Sequence, residues 1–233
     1  MLEELRSEVL EANLELVRRG LVLYTFGNAS GISRKDGLVV IKPSGVPYEQ
    51  MKPEHLVVTD LAGKIVEGKL RPSSDLATHL LLYNAFSSIG GVTHTHSEYA
   101  TAWAQARKPI PCFGTTHADY FEGSVPVTET MSREEIVNDY EHNTGEAIVR
   151  TFKSLDPRSV PAVLVANHGP FTWGKNATDA AHNAVILESI ARTAYFTTTI
   201  NPGASAISQD LHQKHFSRKH GANAYYGQAG EDR

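Results

Sequence analysis

His94 and His96 are two imidazoles separated by one residue at the end of the run Ile89-Gly-Gly-Val-Thr. In a strand, side chains at i and i+2 share a face, so a strand over 89–95 turns both rings toward one cation. Neutral imidazole suits zinc and neighbouring transition metals, and two such ligands leave positions for a third ligand and for substrate. With eleven histidines in 233 residues, such a pair also arises by chance, and a strand-end pair bonded to backbone is the plain alternative. A third histidine strengthens the metal reading. The apolar run 162–166 ends on Asn167-His168-Gly169-Pro170-Phe171, so His168 follows a second strand as the pair follows the first. In a layered α/β fold, two neighbouring strand ends would gather His94, His96 and His168 into a site open to substrate.

Two further segments have the chemistry to hold an anion. The strand-like run 38–41 delivers the turn Lys42-Pro43-Ser44-Gly45, which offers an ammonium, a hydroxyl and a closely approachable backbone N–H, although such a turn is often only a turn. Ser73, Ser74 and Asp75 precede a helical pattern at Leu76, Leu80, Leu81 and Tyr83. Capping is the ordinary reading of that placement, and phosphate binding at a helix N-terminus is the functional one. The segment Gly114-Thr-Thr-His-Ala-Asp-Tyr120 crowds polar, ionisable and aromatic residues together. Asp119 is there either a general acid/base or a solvated loop carboxylate.

The elements that must position these groups follow from periodicity. Residues 2–19 read as an amphipathic helix ended by Gly20, 56–59 and 64–67 as a hairpin, and 98–106 as a helix. Residues 132–153 read as one helix opened by the capping box Ser132-Arg-Glu-Glu135, with Glu141 on what is most often a solvated face. Residues 179–194 are a further amphipathic helix, and the tail after Pro202 reads as a frayed polar end. The composition, 41% hydrophobic with a net charge of −4, supports one domain with a sizeable core and argues against a nucleic-acid surface. A single cysteine excludes an internal disulfide framework. No apolar run reaches membrane-spanning length and the opening residues do not form a signal peptide, so a cytoplasmic protein is expected.

Taken in order, Ile41-Lys-Pro-Ser-Gly45, Pro72-Ser-Ser-Asp75, Ile89-Gly-Gly-Val-Thr-His-Thr-His96, Gly114-Thr-Thr-His-Ala-Asp-Tyr120, His168-Gly-Pro-Phe171, Trp173-Gly-Lys-Asn176, Lys219-His-Gly221 and Tyr225-Tyr-Gly-Gln228 resemble the epimerase branch of the class II aldolase and epimerase family. The resemblance implies an α/β domain over 1–228, with a central, mainly antiparallel sheet covered by helices, and a tail at 229–233. It also implies a homotetramer with active sites between adjacent subunits. On this chain His94, His96 and His168 would hold a divalent cation, zinc by expectation, with Asp75 close to it. Asn28, Lys42, Ser44, Gly45, Ser73 and Ser74 would bind the phosphate of a phosphorylated ketopentose. Asp119, with Tyr226 from the neighbouring subunit, would be the acid/base pair, supported by Thr115, Glu141, His215 and Arg218.

The implied reaction interconverts L-ribulose 5-phosphate and D-xylulose 5-phosphate, in arabinose or ascorbate-type catabolism. A class II sugar-phosphate aldolase is the nearest rival. Those enzymes typically carry glutamate where this chain has Asp75, and the shorter carboxylate favours the epimerase. A non-catalytic metal-binding module is the alternative from a different class.

Overall fold

The structure is a computed structural model and describes residues 2–220 and 224–225. In chain order the elements are α1 (Glu3–Arg18), β1 (Asn28–Ser33), β2 (Leu38–Ile41), β3 (Val57–Asp60), β4 (Ile65–Glu67), α2 (Leu76–Ala85), β5 (Gly91–His94), α3 (Glu98–Ala106), α4 (Thr115–Ala118), α5 (Arg133–Asn138), α6 (Tyr140–Thr151), β6 (Ala162–Val165), β7 (Gly169–Gly174), α7 (Ala177–Ile200) and α8 (Gln209–His220). The strands form one seven-stranded sheet in the order β4-β3-β2-β1-β5-β7-β6. Every neighbouring pair in it is antiparallel.

Alternation along the strands divides the core between two helical layers. Val39 faces α2 and α6, where it joins Tyr83, Phe86, Ile148, Phe152 and Trp173, whereas Val40 faces α1 and α7 with Val9, Leu16, Ala177 and Ala181. Burying both faces explains why β2 is the unbroken apolar run Leu-Val-Val-Ile. The close approach of α7 to β5 requires glycine. A Cβ on Gly90 would lie 2.0 Å from the Lys175 carbonyl oxygen, and one on Gly91 would lie 2.2 Å from that of Asn176.

Two local expectations differ from the structure. The helix expected over 132–153 breaks at Asp139, whose extended backbone (φ 178°, ψ 71°) separates α5 from a new helix beginning at Tyr140. The Ser132–Glu135 capping box is formed, but it serves only the short α5. The segment taken for a frayed tail contains α8, because Asp119 supplies a partner that local composition does not reveal.

Candidate metal and anion site

The strand carrying the first two histidines stops at His94, so His96 lies beyond it and does not owe its direction to strand alternation. The two still converge, with His96 Nε2 3.1 Å from His94 Nε2. The expectation of neighbouring strand ends also needs correction. β7 lies between β5 and β6, and His168 occupies the hairpin turn joining β6 to β7. Its N–H donates to the Val165 carbonyl at 3.0 Å. The preceding Asn167 is left-handed (φ 63°), a conformation that asparagine tolerates better than most residues. Gly169 permits the turn to lie against the first pair, because a Cβ there would stand 2.8 Å from the Thr95 carbonyl oxygen. His168 Nε2 reaches 3.1 Å from His96 Nε2.

The ligand atoms of His94, His96 and His168 all lie within 4.8 Å of one another. Nitrogens bound 2.0–2.1 Å from a tetrahedral ion stand about 3.3 Å apart, so a small closing or opening of the rings suffices for a metal. His94 is buried and stacks on Phe171, with centroids 4.2 Å apart. Its Nδ1 faces the Pro170 carbonyl oxygen at 2.9 Å and, as the donor there, leaves Nε2 with its lone pair toward the cluster. Burial, with the other two imidazoles beside it, pushes His168 down to about 3. Burial likewise lowers His96. Both rings therefore stay neutral and able to ligate at ordinary pH.

Asp75 precedes α2, but its side chain makes no helix-capping bond. Its Oδ2 instead accepts from Asn28 Nδ2 at 2.6 Å, and the same amide reaches Ser73 Oγ at 3.0 Å. Burial alone would raise the Asp75 pKa, but His94, His79 and the Asn28 amide outweigh it and hold the carboxyl below its usual value. Behind it lies fully buried His79, pushed down to about 3 by burial, whose Nδ1 meets Ser30 Oγ at 2.7 Å.

The two serine turns are laced together. Ser44 N–H donates to Arg71 O and Ser73 N–H to Lys42 O, each at 2.9 Å. Gly45 adopts φ 68°, which favours glycine there. Lys42 is only 2% exposed. Its ammonium donates to the Thr25 carbonyl at 3.1 Å and lies 4.7 Å from the centre of the Tyr48 ring. Burial pushes its pKa down to about 8.

These groups open on one cleft of about 360 Å³, lined by Asn28, Lys42, Ser44, Gly45, Ser73 and Ser74 together with Asp75, Glu141 and the three histidines. Tyr140 also lines it, with its hydroxyl 3.2 Å from His168 Nδ1. Sequence reasoning missed that residue. Its only signal was adjacency to Glu141, and the break at Asp139 that turns it inward is invisible to helical periodicity.

The remaining expected residues lie elsewhere in the subunit. Asp119 accepts from Arg218 Nε at 2.8 Å and lies 3.0 Å from His215 Nδ1. Burial would raise its pKa, but Arg218 and His215 prevail and hold it ionised. Thr115, the first residue of α4, lines a separate hollow with Phe113, Thr193 and Thr197. None of Thr115, Asp119, His215 and Arg218 lines the histidine cleft. Tyr226 lies outside the described residues.

Residues 7–195 match the model of the class II aldolase and adducin N-terminal domain. Over 227 residues the chain is 56% identical to the L-ribulose-5-phosphate 4-epimerases UlaF of Salmonella paratyphi A and Salmonella typhi, covering 97% of this chain and all of each relative. Among solved structures, an L-fuculose 1-phosphate aldolase superposes with a TM-score of 0.77 at 26% identity, covering 91% of this chain and 94% of that one. YgbL of Klebsiella pneumoniae, titled a putative aldolase/epimerase/decarboxylase, does so with a TM-score of 0.73 at 28% identity, covering 92% and 99%. A sequence match across most of the chain and a shared fold agree with the histidine cleft: the chain belongs to the class II aldolase family.

Proposed function

We propose that the chain is a metal-dependent L-ribulose-5-phosphate 4-epimerase, interconverting that sugar and D-xylulose 5-phosphate. The observation that carries this reading is the joining of a three-imidazole cluster to a buried ammonium and two hydroxyl-bearing turns in one cleft. The relatives named for this reaction match along their whole length.

The two sugars differ at C4, whereas the carbonyl is at C2, so the C4 hydrogen is not acidic. Cleaving the C3–C4 bond avoids an unstabilised carbanion. The C4 hydroxyl gives its proton to a base, C4 becomes the aldehyde of glycolaldehyde phosphate, and the bonding pair passes to the dihydroxyacetone fragment as an enediolate. Rotation of the aldehyde and the reverse steps give the epimer. His94, His96 and His168 would hold a divalent cation, zinc by expectation from the family resemblance, which would supply Lewis-acid stabilisation of that charge.

The protein's own residues bind, orient and move protons. Lys42, Ser44, Gly45, Ser73 and Ser74 hold the phosphate, retaining the aldehyde while it turns. Asn28 aligns Ser73 with Asp75, the carboxylate beside the histidines. Asp119 and Tyr226 serve as the acid/base pair, one for each face of the aldehyde, with Thr115, His215 and Arg218 around them and Glu141 in the cleft. Asp119 does not line the cleft within one subunit, so the acid/base pair it forms with Tyr226 of a neighbouring subunit calls for active sites assembled between adjacent subunits, as in a homotetramer.

Product analysis of purified protein with L-ribulose 5-phosphate, with and without chelator, tests the reading. Chelator-sensitive D-xylulose 5-phosphate is expected. Dihydroxyacetone and glycolaldehyde phosphate as main products would show an aldolase instead, and no turnover would sink both.

A further inference from the structure

The two nitrogens of His168 have different neighbours. Nε2 belongs to the cluster, 3.1 Å from His96 Nε2, whereas Nδ1 lies 3.2 Å from the Tyr140 hydroxyl. A nitrogen that gives its lone pair to a cation carries no proton, so a ligating Nε2 requires the proton on Nδ1. Nδ1–H then donates, and the Tyr140 oxygen accepts. A phenol has a single proton, and in this arrangement it is not spent on His168.

Tyr140 lines the cleft that contains Asp75 and Glu141. It opens α6 directly after the extended Asp139, and its carbonyl accepts the Thr144 hydroxyl at 2.8 Å, which anchors the first turn. The ring packs 5.8 Å from that of His168. Its hydroxyl therefore lies beside the His168 imidazole on the wall of the cleft.

We propose that Tyr140 has a double role: its oxygen accepts the Nδ1–H that ligation through Nε2 requires of His168, and its own O–H is thereby left for the substrate oxygen that acquires enediolate charge. This rests on the epimerase reading for the substrate and on the histidine cluster alone for the metal. The contact is a hydrogen bond and transfers no proton. Its value lies in a donor already aimed where negative charge develops.

Tyr140→Phe removes one oxygen and keeps the ring. Zinc binding, followed by chelator competition without sugar, is expected to weaken about 10- to 100-fold. In zinc-saturated protein, kcat should fall about 10²- to 10³-fold with KM little changed, the pattern of an interaction made in the transition state. A variant that holds zinc as the parent does, or that regains parental kcat once saturated, overturns the proposal. Should the variant not fold, imidazole ¹⁵N spectra of the zinc-loaded parent decide. A proton on His168 Nδ1 supports the assignment, and one on Nε2 defeats it. Because zinc titration uses no sugar, its result stands even where the parent fails to turn over a ketopentose.

Discussion

His94 Nδ1 and the carbonyl oxygen of Pro170 meet at 2.9 Å across the β5–β7 ladder. Pro170 follows His168 by two residues, so this bond ties one imidazole to the hairpin that carries another. Two of the three imidazoles are thus tied to each other through the sheet.

Loss of either tied histidine should therefore empty the site. His94→Ala and His168→Ala are each expected to lower zinc affinity by more than about 100-fold, beyond what loss of a supporting residue costs. Metal content after dialysis reads this directly. A variant retaining stoichiometric zinc would remove that residue from the ligand set.

Gly169→Ala tests the hairpin without touching a ligand. The added methyl would stand 2.8 Å from Thr95 O, so the turn must shift away from the segment that carries His96. A displacement of this kind should weaken zinc binding about tenfold and cost about 1–3 kcal/mol of stability, read by chelator competition and urea unfolding. Parental values for both would show that the approach is not tight.

Lys42 makes a pH-dependent prediction in two opposite directions. Its folded pKa is about 8 against an ordinary 10.5. Between those values the unfolded chain binds more protons, so this group's contribution to stability rises with pH through that window. Relative to Lys42→Met, the native protein should gain urea resistance from pH 8 upward. Phosphate binding should show the reverse, since the charge that attracts the anion is being lost. At pH 7, Lys42→Met should raise KM about 10- to 100-fold without loss of fold. A variant with parental KM would detach Lys42 from phosphate.

Asp119→Asn removes the charge that faces Arg218 and His215. The expected result is faster amide exchange throughout α8, by about tenfold or more, with unchanged exchange in β5 and β7 and normal zinc content. Turnover should fall with it, as for Tyr226→Phe. Zinc loss in either variant would contradict the acid/base assignment.

Much of the cleft was legible because its residues sit at places where sequence patterns change. His94 and His168 follow apolar runs that are strands or end in a strand turn, and Lys42 and Asp75 follow or precede recognisable elements. What was not legible depends on partners far along the chain. His96 was expected in the cluster, but not for the right reason, since β5 ends at His94 and strand alternation does not aim it. Tyr140 joins the site because a backbone break interrupts a pattern that reads as continuous helix. α8 orders against Asp119 from about a hundred residues away. Periodicity describes one segment's preference and contains no information about such distant partners.

Asn28 and His94 are direct partners in the β1–β5 ladder, and β2, which delivers Lys42, flanks β1 on its other side, so the two ends of the cleft are fastened to one run of neighbouring strands. Strand spacing is about 4.8 Å and nearly invariant. The cleft is consequently a calliper with locked jaws. A ligand that reaches both ends is therefore held against a span set by the sheet.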